Sequence, residues 1–406
     1  MSLSLRPPRL FGAWYAWLVR RVPLLGSITR LGWVVASVGL VCWVGAAVLD
    51  WREAAVVAAC CLLAIAASLL FTLGKSNYDV AIDLQPQRVS VGERAGVQVI
   101  VGNSSGRRQL PGRLELVVGS GRAAFTVPSL ADGERFDELY TVPTHRRAII
   151  DVGPVSSVRG DPVGLCRRER QWTGVEQLYV HPKISPLDRL GSGFLKDLEG
   201  QTTQDLSNSD VAFHTLREYV PGDDRRHIHW KTTARVGTMM VRQFVDTRRS
   251  HLALVISVDQ ADYASEDEFE LGLSLAASLG VRTLMDEQTV AVVAGHHSLP
   301  SENTPRLLDA FSGIEMADAA GGLLPAVMEA NRTAGTPSIV AFVTGSRRTV
   351  SDVRLAANRL TADARVVVVR ADEAGELAYR PVGDTAMINV PALEEFARGL
   401  WRASQL

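Results

Sequence analysis

The chain of 406 residues is longer than one ordinary domain and carries enough apolar material for two or three cores. A formal net charge of -1 excludes a global electrostatic drive toward nucleic acid, and no acidic tail is present. Its four cysteines, Cys42, Cys60, Cys61 and Cys166, have no metal-ligand spacing and form no set that could staple an extracellular domain, so they read as small apolar side chains.

Residues 1–30 form a basic tail holding Arg6, Arg9, Arg20, Arg21 and Arg30 and no acid. Within it Phe11–Arg21 mixes aromatics with arginine, which suits either a segment on the inner membrane surface or a flexible tail with incidental aromatics. Residues 31–73 then supply two uncharged spans, Leu31–Leu49 and Ala54–Leu73, each long enough to cross a hydrocarbon core of ~30 Å as a helix. The polar turn between them, Asp50-Trp51-Arg52-Glu53, makes the helices antiparallel neighbours, and their Gly, Ala and Ser content permits close backbone approach. Five arginines ahead of the first span put the N-terminus in the cytoplasm, and two crossings return the chain there. The expected location is a bacterial inner membrane, with both termini and the soluble part cytoplasmic.

Residues 78–182 change to short alternating runs such as Val97–Val101, Leu114–Val118 and Ala148–Val152, separated by turn sequences such as Asp132-Gly133 and Gly160-Asp161-Pro162. This spacing predicts an immunoglobulin-like β-sandwich. Residues 183–250 are a connecting segment, polar at first and then dense in charge. Residues 251–406 alternate apolar strands (252–258, 289–294, 338–343, 365–369) with helices (266–285, 305–311, 322–330, 351–360, 391–402), the pattern of a doubly wound α/β domain. His296-His297 reads as an exposed loop after a strand.

Two constellations could carry function. In the first, Arg217, Glu218, Asp223, Asp224, Arg225, Arg226, Lys231, Arg235 and Arg242 crowd around His227, His229 and Trp230. Pro221-Gly222-Asp223-Asp224 has turn chemistry, the arginines can pair with the carboxylates, and Trp230 is expected to bury its ring. An interdomain clasp or docking surface is the leading reading. An enzyme or anion site built from Arg217, Glu218, Asp223, Asp224, His227 and His229 is the alternative, although no HExxH, P-loop, GxGxxG or GxSxG pattern accompanies it. A purely structural envelope component is a third reading.

The second constellation is the end of the first α/β strand, Asp259-Gln260-Ala261-Asp262-Tyr263, where open α/β sheets bind ligands. A divalent-cation site would place hydroxyls at alternate positions after the first acid, and Ala261 and Tyr263 stand there instead. Thr344 occupies the place of a second acid at the end of another strand, so no cofactor is expected and magnesium is disfavoured.

Leu216–Phe244 (LREYVPGDDRRHIHWKTTARVGTMMVRQF) resembles the signature of the bacterial "domain of unknown function 58" proteins. Arg217, Glu218, Tyr219, Pro221, Gly222, Asp223, Asp224, Arg226 and Trp230 match its first part, Ala234-Arg235-Val236-Gly237 the second and Val241-Arg242-Gln243-Phe244 the last. Arg146-Arg147, Val152-Gly153-Pro154 and Asp161-Pro162-Val163-Gly164-Leu165 agree upstream. The resemblance implies a von Willebrand factor A-like C-terminal domain in which Asp259 is the remnant of a degenerate metal-dependent adhesion site. It also implies an adaptor or assembly role beside a MoxR-type AAA+ ATPase, often with a transglutaminase-like membrane protein nearby.

Overall fold

The computed structural model describes residues 27–72, 77–187, 211–220, 228–246, 251–335, 337–360, 364–382 and 385–404. The chain divides into two compact units, Met1–Thr144 with Ile149–Tyr179, and His145–Ala148 with Val180–Leu406.

The first unit begins with α1 (Arg30–Leu49) and α2 (Arg52–Thr72). Their mean hydropathies of 2.0 and 2.7 and their lengths of 20 and 21 residues suit a membrane span. Most of their large apolar side chains face outward, among them Leu40, Val41, Val48, Leu62 and Leu70. Asp50, at φ 49°, ends α1 in the left-handed region and reverses the chain. The helices pack closely at Gly39, where an added Cβ would lie 3.0 Å from Cys61 Cβ.

Nine strands follow: β1 (Tyr78–Leu84), β2 (Arg88–Ser90), β3 (Ala95–Asn103), β4 (Gly112–Val118), β5 (Gly121–Val127), β6 (Arg135–Val142), β7 (Ala148–Gly160), β8 (Arg167–Gln171) and β9 (Glu176–His181). They form a three-stranded sheet, β1-β3-β6, and a larger one ordered β2-β9-β7-β4-β5, with β8 paired to β7. Strict alternation along β3 buries Ala95, Val97, Val99 and Val101 while Gly96, Gln98, Ile100 and Gly102 stay half-exposed. Leu114, Leu116, Val152, Val155 and Leu178 supply the apolar side of the larger sheet. Tyr78 of β1 meets Trp172, just past β8, edge to face with ring centroids 5.8 Å apart. The buried Asn103 amide ties three loop carbonyls, those of Arg107, Leu130 and Ala131, at 2.8–3.0 Å.

In the second unit, β10 (Val211–Glu218) and β11 (Met240–Asp246) form a two-stranded antiparallel sheet, with α3 (Trp230–Val236) between them in sequence. The main sheet uses β12 (His251–Ile256), β13 (Thr289–Ala294), β14 (His297–Leu299), β15 (Ile339–Thr344), β16 (Arg365–Ala371), β17 (Ala378–Val382) and β18 (Thr385–Val390). Its order is β14-β13-β12-β15-β16-β18-β17, parallel throughout except for the antiparallel edges β14 and β17. The helices are α4 (Glu266–Met285), α5 (Thr304–Ser312), α6 (Leu323–Thr333), α7 (Val350–Ala357) and α8 (Phe396–Ser404). Alternate residues of β12 feed two cores: Leu252, Leu254 and Ile256 pack with Leu273, Phe311 and Phe396, while Ala253 and Val255 pack with Val327, Phe342 and Val353. Helices therefore cover both faces, as a sheet of buried parallel strands requires.

Every helix and strand read from the sequence between 251 and 406 is present, with shifts of a few residues at the ends. Three strands were unforeseen. One is β14, which takes His297 out of a loop and into an exposed sheet edge; the others are β17 and β18.

Candidate functional site

The charged block is built on a hairpin. Arg217 pairs with Val241, Glu218 with Met240 and Leu216 with Arg242 across β10 and β11. Tyr219 N donates to the Met239 carbonyl and His229 N to the Met240 carbonyl, both at 2.8 Å, so the start of α3 is stitched to β11. His229 is a helix cap: its Nδ1 accepts from Thr232 N at 3.3 Å and lies 2.7 Å from Thr232 Oγ1. Gly237, at φ 80°, closes the helix with its N–H on the Thr233 carbonyl, and Arg235 sits in the last turn, where a cation favours the helix dipole.

Pro221, Gly222, Asp223, Asp224, Arg225, Arg226 and His227 lie outside the described residues, as do the side chains of Arg217 and Arg242. One expectation is corrected outright. Trp230 does not bury its ring: it is 66% exposed, and Val220, Val236 and Met239 of the same hairpin are exposed too. It stands at the first position of a seven-residue helix in which no residue is buried among the described residues.

The second candidate lies where the order of the main sheet reverses, between β12 and β15. Asp259 follows β12 and is nearly buried; its Oδ1 accepts from Ala261 N and its Oδ2 from Gly322 N, both at 3.0 Å. Asp262, three residues on, is 1% exposed and is the better-engaged acid. Ser257 Oγ donates to its Oδ2, Thr344 Oγ1 reaches the same oxygen at 3.5 Å, and Arg348 Nη1 stands 3.4 Å from Oδ1. Burial, reinforced by the charge of Asp259, pushes the Asp262 carboxyl above the usual range, while Ser257, Arg348 and Thr344 pull it back.

Glu268 in the first turn of α4 closes the other side. Its Oε1 accepts from Ala264 N at 3.2 Å and Ser346 N at 2.6 Å, and its Oε2 from Ser346 Oγ at 2.9 Å. Tyr263 donates its hydroxyl to the Ser257 carbonyl at 2.7 Å and stacks edge to face on Phe269; burial holds its phenol well above the ordinary value. Gly345 threads between these groups: a Cβ there would lie 2.6 Å from both Glu268 Oε1 and Tyr263 Cδ1, and would also strike the Asp262 carbonyl. Among the described residues, no three His, Cys, Asp or Glu side chains gather as metal ligands.

Asp259 and Thr344 were singled out in the sequence, whereas Ser257, Glu268, Ser346 and Arg348 were not. Their signal is the acid three residues after Asp259 together with the Gly345-Ser346-Arg347-Arg348 run after β15, which supplies backbone donors and cations. In the same unit Arg147, 5% exposed at its side chain, holds Glu270 through two nitrogens at 3.0 and 3.1 Å and the Phe311 and Ser312 carbonyls at 2.7 and 3.0 Å.

These features define a class: two apolar helices, a β-rich unit, and an α/β unit whose switch point is filled by internally paired charges. Residues 215–310, from the hairpin through α4 to α5, match the family described as "Protein of unknown function DUF58". No curated protein matches the chain. Solved structures that resemble parts of it include the CARDB domain of a Pyrococcus furiosus protein in complex with di-metal ions (16% identity, 26% of this chain, 90% of that one, TM-score 0.20). Another is a β-glucosidase from Listeria innocua (13% identity, 27% of this chain, 17% of that one, TM-score 0.19). A third is the alkylpurine DNA glycosylase AlkC of Pseudomonas fluorescens bound to DNA containing an abasic site analog (13% identity, 34% of this chain, 43% of that one, TM-score 0.21). At such TM-scores the architecture rests on the strand order itself.

Proposed function

We propose that the protein is a membrane-anchored adaptor or assembly factor whose soluble part docks a cytoplasmic AAA+ ATPase of the MoxR type. In this reading α1 and α2 form a hairpin across a bacterial inner membrane, both termini are cytoplasmic, and a transglutaminase-like membrane protein is a possible neighbour. The β-rich unit is an immunoglobulin-like sandwich and the α/β unit a von Willebrand factor A-like domain. The observation that carries the docking role is the exposed apolar group of Val220, Trp230, Val236 and Met239 on a hairpin inside the family-matching segment. Exposed aromatic and Met side chains on an element that also carries Arg235 have the composition of interface anchors.

The α/β domain works without a divalent cation. A hard cation needs several carboxylate or hydroxyl oxygens turned toward it. Those of Asp259 are taken by two backbone amides, and Asp262 is faced by Ser257, Thr344 and the guanidinium of Arg348.

A photoreactive residue in place of Trp230, crosslinked in intact cells, tests the docking role. Capture of an AAA+ ATPase of the MoxR type supports it. Crosslinks confined to the protein's own chain would remove the docking role from this surface.

A further inference from the structure

We propose that the β7–β8 hairpin is a binding surface for anionic phospholipid headgroups, lying flat on the bilayer at the head of α1. The proposal rests on the reading of α1 and α2 as a membrane hairpin. Its starting point is a joint within the first unit. Asp161 organises the hairpin loop by accepting three backbone N–H groups, from Val163 at 3.0 Å, Leu165 at 3.1 Å and Cys166 at 2.6 Å. The loop so formed grips the first residues of α1. Ile28 bridges to Cys166, Thr29 N donates to the Leu165 carbonyl at 2.9 Å, and Thr29 Oγ1 donates to the Gly164 carbonyl at 2.6 Å. Gly32 makes this approach possible, because a Cβ there would run into the Leu165 carbonyl.

A loop tied to Thr29 lies at the level where α1 enters the hydrocarbon. Its tip carries Val163, 69% exposed, an apolar side chain placed where the headgroup region begins. Behind the tip the strand is basic. Gly160 pairs with Arg167, Arg159 with Arg168 and Ser157 with Arg170, and every residue of β8 is exposed. Each step along a strand is about 3.3 Å, so Arg167, Arg168 and Arg170 lie within about a Debye length of the surface.

The acids nearby offset them only in part: Glu169 of β8 lies 3.8 Å from Arg167, so the strand carries three arginines against one acid of its own. Asp161 is committed to the loop amides, and Glu115 is shared by Arg113, Arg122 and Arg167 at 3.8, 3.8 and 2.8 Å. Arg170 lies over the Trp172 ring at 4.2 Å, which stiffens its stem and keeps its charge. A positive, exposed strand with an apolar tip, pinned at a membrane entry point, is complementary to phosphate headgroups of net negative charge.

The test uses the full chain purified in delipidated micelles and titrated with phosphatidylglycerol or phosphatidylcholine, with bound lipid read by native mass spectrometry. The wild type is expected to retain phosphatidylglycerol about tenfold over phosphatidylcholine, a preference that shrinks with added salt. Arg168→Gln combined with Arg170→Gln is expected to lower the preference at least threefold, and Arg168→Lys to keep it. Equal retention of both lipids by the wild type, or an unchanged preference in the double variant, would overturn the proposal. Alkaline carbonate extraction of cell membranes separates its failure from that of the underlying reading. Release of the wild type by carbonate sinks the membrane hairpin itself, whereas retention with no lipid preference sinks only the lipid surface.

Discussion

Two aspartates organise loops in the two units, and they do so under opposite electrostatics. Asp161 stands at a hairpin tip near water; burial alone would raise its carboxyl, but the amides of Cys166, Leu165 and Val163 hold it below the usual range. Asp262 is enclosed beneath Arg348 and shares its surroundings with Asp259, so desolvation dominates and its carboxyl is raised. The first is a local device, complete within six residues. The second draws partners from Ser257 to Arg348, and its charge is offset in part by that distant cation. The same residue type therefore marks a self-sufficient turn in one place and a long-range dependency in the other.

The largest effect expected from breaking this contrast is at Arg348. Arg348→Met leaves Asp262 buried without its cation and is expected to destabilise the α/β unit by about 3 kcal/mol at neutral pH. The sign of the pH dependence follows from the raised carboxyl. Its contribution to stability is fully present below the ordinary carboxylate pKa and is lost as pH rises through the raised value. Removing Arg348 raises that value further, so the variant's deficit shrinks as pH falls toward 5. Denaturant unfolding of the full chain in mild detergent at the two pH values measures this. An equal deficit at both would show that Asp262 stays charged by other means.

Gly345→Ala comes next. The added methyl meets the Asp262 backbone, the Glu268 carboxylate and the Tyr263 ring together, and neither the backbone nor the enclosed ring can yield easily. A loss of about 2 kcal/mol is expected in the same unfolding experiment, as for overpacking elsewhere. Wild-type stability in this variant would mean that the β15 turn is looser than its contacts imply.

The hairpin side of the comparison gives smaller numbers. Asp161→Asn weakens the acceptor of three backbone N–H groups in a solvent-accessible loop and is expected to cost about 1 kcal/mol, read as faster amide exchange at Val163, Leu165 and Cys166. Because the native carboxyl is lowered, its stabilisation is present above the ordinary pKa and lost as pH falls through the lowered value. Protection in the wild type should therefore fall in acid toward that of the variant. Protection that does not change with pH in either protein would assign the loop's order to its grip on Thr29 instead.

The parts of the fold legible in the sequence were those governed by local rules. The α4 boundaries could be read because Ser265 caps a periodic run and Asp286 ends it, and α1 and α2 because two uncharged spans flank a polar turn. The strand β14 is only three residues long, and β17 holds Pro381, which argues against a strand except at the sheet edge it occupies. The switch point was half-legible. Asp259 was found because it ends an apolar run, but the Asp262–Arg348 pair joins residues far apart in sequence, and no spacing rule connects them. Trp230 failed for a related reason: an aromatic residue among charges suggests a buried ring only if a neighbouring surface exists to cover it.

That exposed ring supplies the smallest stability effect and the most direct functional one. Trp230→Ala removes a side chain that is 66% exposed on a helix already capped by His229 and closed by Gly237, so unfolding should shift by less than about 0.5 kcal/mol. If the hairpin is the docking surface, the same substitution should weaken ATPase recovery from gently solubilised membranes by at least tenfold, the scale of an aromatic interface anchor. Full recovery with unchanged stability would make the ring a bystander and move the docking face elsewhere on the soluble part. A large loss of stability would mean instead that Trp230 is covered in the native protein, bringing it into line with Asp262 as a residue dependent on distant partners.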